Sequence, residues 1–94
     1  MKDSGELIKD LKDKDSSVRR HATEMLGTIG DEEAVDALIL VLKDKDRFVR
    51  QEAIAVLGKI GGKRVAGPLT QALGEEKDEF VQDSIRKALE KLRK

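Results

Sequence analysis

Few residues in this chain could do chemistry, and their spacing decides each case. The doublet Asp13-Lys14-Asp15, followed by Ser17 and Glu24, puts oxygen ligands at positions 1, 3, 5 and 12 of a calcium-loop pattern. Such a loop turns on a glycine at position 6, and that residue is Val18, which belongs to a periodic apolar stripe. In a second copy of the segment Phe48 stands where a ligand belongs, so calcium is excluded. His21 is the only histidine and there is no cysteine, which removes paired-histidine metal sites, thiolate ligands, cysteine nucleophiles and disulfides. Gly61-Gly62-Lys63 has no strand before it and lacks phosphate-loop spacing, so it reads as an interhelix turn. No catalytic residue, cofactor site or metal site is assigned, and the chain is read as not an enzyme.

The elements that carry these residues are fixed by an internal repeat. A shift of 31 places Leu7 on Leu38 and Leu69, and Leu11 on Leu42 and Leu73. It also lays DKDSSVRRHATEMLGTIG on DKDRFVRQEAIAVLGKIG. A third copy needs one extra residue within Gly74–Lys77, after which Asp78, Val81, Ile85, Leu89 and Leu92 take the equivalent places. The 94 residues therefore form one domain of three repeats, approximately 3–30, 31–61 and 62–94.

Each repeat reads as two helices. The longer begins at a capping aspartate (Asp15, Asp46, Asp78), whose carboxylate can accept from the free N–H groups of the first turn. Its apolar stripe runs Val18, Ala22, Met25, Leu26, Ile29 in the first copy and Val49, Ala53, Val56, Leu57, Ile60 in the second, a helical and not a strand period. Gly30 and Gly61 follow where a left-handed terminator is expected. The shorter helices hold Leu7, Ile8 and Leu11; Ala34 to Leu42; and Val65, Ala66, Leu69 and Leu73. Asp3 with Glu6 suggests a capping box, and Pro68 predicts a bend or early break in the third short helix. A pair of helices cannot cover both of its apolar faces, so the units stack into a solenoid with polar ends. Glu90, where the earlier copies have Gly27 and Gly58, and the terminal Arg93 and Lys94 suit such an end. The chain is expected to be a self-contained array or the capped end of a longer one.

The pattern D-x-x-V-R-x-x-A-x-x-x-L-G-x-I-G, followed by a helix with paired leucines, resembles the short HEAT-like repeats of phycobilin lyases. The resemblance implies an all-α, right-handed solenoid of three helix pairs, about six helices, serving as a protein-binding scaffold. It also implies a structural ladder in which Arg19 and Arg50 pair with capping residues such as Asp15 and Asp46 of their own or the neighbouring repeat. An anion clamp is the competing role for those arginines, and the ladder is favoured. The third copy departs from the pattern with Gln82, Ile85 and Glu90.

What remains for recognition is the outward side of the longer helices. The candidate partner-binding residues there are Phe48, Phe80, Arg20, Gln51, Glu52, Ala55, Asp83 and Lys87. Phe48 and Phe80 are the only aromatics and share one repeat position, where the first copy has Ser17. They either fold over the preceding short helix or stand exposed as an apolar anchor, and packing is the preferred reading. Ile54, where the other copies have Thr23 and Arg86, is expected to be half-buried.

The function expected is a non-catalytic scaffold that binds an unidentified protein or peptide. The alternatives are self-association into a homo-oligomer and an accessory subunit of an enzyme such as a bilin lyase. Nucleic acid is disfavoured: 19 basic and 19 acidic residues cancel, and the eight basic groups of residues 63–94 face six acidic ones. No apolar run approaches a membrane span and the first residues hold no signal-peptide core, so a cytoplasmic setting is expected. With 40% charged residues, no asparagine and no cysteine, the composition is compatible with a thermophile.

Overall fold

The computed structural model describes residues 2–93 and holds six helices: α1 (Ser4–Asp10), α2 (Ser16–Ile29), α3 (Glu32–Val41), α4 (Arg47–Ile60), α5 (Lys63–Glu75) and α6 (Glu79–Leu92). Their starts follow from short-range hydrogen bonding. Asp3, Asp15, Asp31, Asp46 and Asp78 each sit in extended backbone and accept from N–H groups of the first turn, at 2.8–3.3 Å. Only α5 begins without a side-chain cap, at Gly62. The stops of α2 and α4 fall at Gly30 and Gly61, whose φ values of 63° and 70° a side chain would oppose.

Pro68 does not end its helix. α5 runs unbroken from Lys63 to Glu75, so of the bend or early break expected the break does not occur. The residue before the proline is Gly67, which has no Cβ to meet the ring. Burial of Val65 and Leu69 on either side holds the helix to the core.

The helices form two layers. In one, α4 lies between α2 and α6; in the other, α1 and α3 touch, while α5 rests chiefly on α6. The core between the layers is aliphatic, with Leu26, Leu38, Ile54, Leu57, Leu69 and Ile85 fully buried. Ile54 is thus buried outright, not half-buried, and Thr23 at the same register is also buried, its hydroxyl donating to the Arg19 carbonyl at 2.8 Å. Arg86 at that register is exposed, because no long helix follows α6 among the described residues. Ile29 departs from the expected stripe in the opposite sense, with 42% of its surface exposed. Among the described residues no helix is long and apolar enough to cross a membrane.

The long helices come close because of two glycines. A Cβ on Gly27 would lie 2.6 Å from Cβ of Val56, and one on Gly58 would lie 3.2 Å from Cβ of Ala88. The repeated glycine of the L-G-x-I-G segment is therefore a helix-contact residue, placed where α2 meets α4 and α4 meets α6.

Candidate functional site

The arginine ladder ties each repeat to the next. Arg19, 5% exposed, spans two of them. Its Nη1 donates to the Asp13 carbonyl of its own repeat at 2.8 Å, while Nε and Nη2 reach the two carboxylate oxygens of Asp44 in the next, at 2.9 and 3.2 Å. Arg50 repeats the arrangement with the Asp44 carbonyl (2.8 Å) and the Glu76 carboxylate (2.9 and 3.3 Å). The fork matches a carboxylate in a bidentate way that a lysine could not. Hydrogen bonding to Asp44 holds the Arg19 guanidinium above its ordinary pKa, against the opposing effect of desolvation.

The ladder partners differ from those expected. Asp15 and Asp46 do not accept from the arginines; Oδ1 of each caps the first-turn N–H groups of α2 and α4. The acceptors are Asp44 and Glu76, whose carboxylates also fix the loops by accepting from the Asp46 and Asp78 N–H groups. Gln82 ends the series. Its side-chain amide keeps the bond within the repeat, to the Glu76 carbonyl at 2.7 Å, and offers nothing to a following one. The arginines are consumed in internal pairing, which argues against an anion clamp.

The two aromatic rings are exposed, against the preference for packing: Phe48 at 54% and Phe80 at 70%. Each lies in the first turn of its helix, with its backbone N–H held by the capping aspartate. That geometry points the rings away from the core residues Val49 and Val81, which follow them by one position. Between the rings sits Arg47, a residue that the spacing of the aromatics did not single out. Its guanidinium carbon is 5.5 Å from the Phe48 centroid and 5.2 Å from that of Phe80, within cation–π range. Arg47 Nε lies 3.3 Å from Asp78 Oδ2, yet it is buried without a hydrogen-bond partner. The sequence signal was present only in hindsight, as a basic residue directly before one of two register-matched phenylalanines.

The other candidate residues divide into pairs. Arg20, exposed, reaches Glu52 of α4 across the helix interface at 3.7 Å. Asp83 and Lys87 pair along α6 at 3.2 Å. Gln51, Ala55 and Lys87 line a groove of about 200 Å³ between α4 and α6, floored by Gly58 and Ala88. His21 is exposed, and among the described residues no three His, Asp or Glu side chains converge as a metal site. On the opposite layer Leu40 is 74% exposed where the other copies have Lys9 and Gln71, a second apolar feature not anticipated.

Helix pairs stacked through small residues and a partly buried Arg–carboxylate ladder define an α-solenoid repeat protein. A family model described as HEAT repeats matches residues 5–90, and the chain belongs to that family. Among solved structures it is similar to an epoxyqueuosine reductase crystallised with an epoxyqueuosine-modified tRNA-Tyr stem loop. The TM-score is 0.71 at 33% identity, over 82% of this chain and 21% of that one. A second, selenomethionine-labelled epoxyqueuosine reductase matches with TM-score 0.69 and 34% identity, over 80% of this chain and 20% of that one. The chain thus spans about a fifth of the structures it resembles. No curated relative matches it.

Proposed function

We propose that the chain is a non-catalytic interaction scaffold that takes a segment of a partner protein against the α4–α6 side, with Phe48 and Phe80 as its apolar anchor. One observation carries this reading: both aromatic rings stand exposed on adjacent long helices, fixed by the capping aspartates and by Arg47 between them. Two phenylalanine rings and an arginine in one patch are residue types enriched at interfaces. The groove beside Ala55 and Gly58 continues the patch along the helices.

Affinity capture from the source cell, followed by titration with the purified partner, tests the proposal. Each anchoring ring is worth about 2 kcal/mol at an interface, so Phe48→Ser with Phe80→Ser should weaken binding a hundredfold or more. Undiminished binding by the folded double variant would refute the assignment.

A second reading is an RNA-contacting module, favoured by the likeness to a segment of a reductase crystallised with a tRNA stem loop. Exposed rings can stack on unpaired bases. Against it, Arg20, Arg47 and Lys87 already pair with Glu52, Asp78 and Asp83. Stem-loop affinity that falls steeply with salt would favour this reading. An accessory role beside an enzyme, of the bilin-lyase kind or any other, rests on resemblance alone.

A further inference from the structure

The layer of short helices carries a feature that the repeat does not require. Leu40 of α3 is 74% exposed, while the residues at its register in α1 and α5 are Lys9 and Gln71. It borders a groove of about 210 Å³ between α1 and α3, whose apolar lining also includes Ile8, Leu11, Ala37 and Val41. The next groove along, between α3 and α5, is charged with both signs. Gln71, Ala72 and Gly74 stand there at the registers of Leu40, Val41 and Lys43, and Glu75 and Glu76 join the lining. The apolar groove thus belongs to one repeat junction. It is also independent of where the sequence begins, because a repeat stacked before α1 would meet α1 on the side away from α3.

Charge marks one end of this groove. Lys12 and Lys43, each one residue past the C-cap of its helix, line it and are exposed. Neither forms an ion pair among the described residues. The acids around them are engaged elsewhere. Asp44, the carboxylate in the lining, holds Arg19 at 2.9 and 3.2 Å, Asp10 pairs with Lys2 at 2.6 Å, and Asp36 pairs with Arg64. Asp13 Oδ1 accepts from the Asp15 N–H at 2.9 Å. An apolar trough with two unmatched cations at one end is complementary to apolar side chains set beside carboxylates.

We propose that the α1–α3 groove docks a short acidic amphipathic helix of a partner protein, its apolar stripe covering Leu40 and its carboxylates meeting Lys12 and Lys43. A helix laid between two others buries one stripe along its length, which is how grooves of this kind recognise peptides. α1 has seven residues, a length of about 10 Å, so about two turns of the partner helix fill the site. The groove lies in the layer opposite the Phe48–Phe80 patch, so the two proposals fail independently.

The probe is a labelled, end-capped peptide of about 15 residues, long enough to hold a helix, with leucine at i, i+3, i+4 and i+7 and glutamate or alanine elsewhere. Fluorescence anisotropy against the whole chain should show saturable binding in the micromolar range. The same peptide with lysine for glutamate should bind at least about tenfold more weakly. Leu40→Ser, and separately Lys12→Gln with Lys43→Gln, should each weaken the acidic peptide about tenfold and stay folded by circular dichroism. Amide NMR shifts should move along residues 8–12 and 37–43, and Phe48→Ser with Phe80→Ser should leave the affinity unchanged. Equal affinity for the lysine peptide would overturn the proposal, as would binding that survives Leu40→Ser or no saturable binding up to millimolar protein. Binding lost in the double phenylalanine variant would overturn it by moving the peptide to the other layer. Leu40-dependent binding to phosphatidylglycerol vesicles in place of the peptide would assign the face to a membrane. Leu40-dependent dimers in sedimentation would assign it to a second copy, and either result overturns the proposal.

Discussion

Adding one methyl group to Gly27 tests the helix contact on which the stack depends. In an exposed helix, Gly→Ala stabilises by about 0.8–1.0 kcal/mol through backbone entropy alone. At Gly27 the new Cβ would lie 2.6 Å from Val56 Cβ and 2.7 Å from Cγ1. The atom struck is the branch point of a stiff side chain, so relief requires α2 and α4 to move apart. Overpacking of this kind costs about 1–3 kcal/mol, and a contact this short belongs at the upper end. Gly27→Ala should therefore destabilise by about 2 kcal/mol net, a fall of about 8–16 °C in Tm at 4–8 °C per kcal/mol. Gly58→Ala meets Ala88 Cβ at 3.2 Å and should stay within about 0.5 kcal/mol of wild type. Gly74→Ala, with open space around it in α5, should stabilise by about 0.5–1 kcal/mol. Urea melts followed by circular dichroism give all three values on one scale. In the Gly27→Ala background Val56→Ala should cost less than it does alone, since the clash leaves with the valine. A Gly27→Ala variant as stable as wild type would refute the close approach of α2 and α4.

Three further outcomes are expected. Arg50→Ala should destabilise by about 3 kcal/mol, because the Glu76 carboxylate, 8% exposed, is left without its bidentate partner; Arg50→Met with Glu76→Leu should recover most of that in the same melts. Asp15 titrates below the ordinary aspartate range, chiefly because the Ser17 hydroxyl donates to it, with the Ser17 N–H as the next cause. Its depressed folded value adds stability above pH about 4, lost as pH falls through that value. Ser17→Ala should raise the Asp15 pKa in a carboxyl NMR titration, and an unmoved pKa would remove the hydroxyl as the cause. Phe48→Ala with Phe80→Ala should leave stability within about 0.5 kcal/mol of wild type, as exposed positions do; a larger loss in a thermal melt would mean the rings support the fold.

Helices and their ends were legible in the sequence because their signals act over three or four residues. The aspartates at 3, 15, 46 and 78 cap N–H groups two or three positions away, and Gly30 turns the chain within the next residue. Periodicity fixed which face of each helix is apolar, and repetition fixed that the helices stack in pairs. Whatever depended on a neighbouring repeat was not legible. Arg19 and Arg50 bind carboxylates 25 and 26 positions away, and their nearer aspartates are already engaged as caps. The apolar stripe placed Ile29 with Ile60, but burial needs a helix on the far side, and α2 has none among the described residues.

The sequence by itself thus determined three helix pairs and the register that relates them, since local hydrogen bonding and a repeated apolar period suffice for both. Only the tertiary structure decided which charges form the ladder and that Arg47 lies between two exposed rings. Each of these depends on how far apart neighbouring helices sit, and that distance is set by the Gly27–Val56 and Gly58–Ala88 contacts.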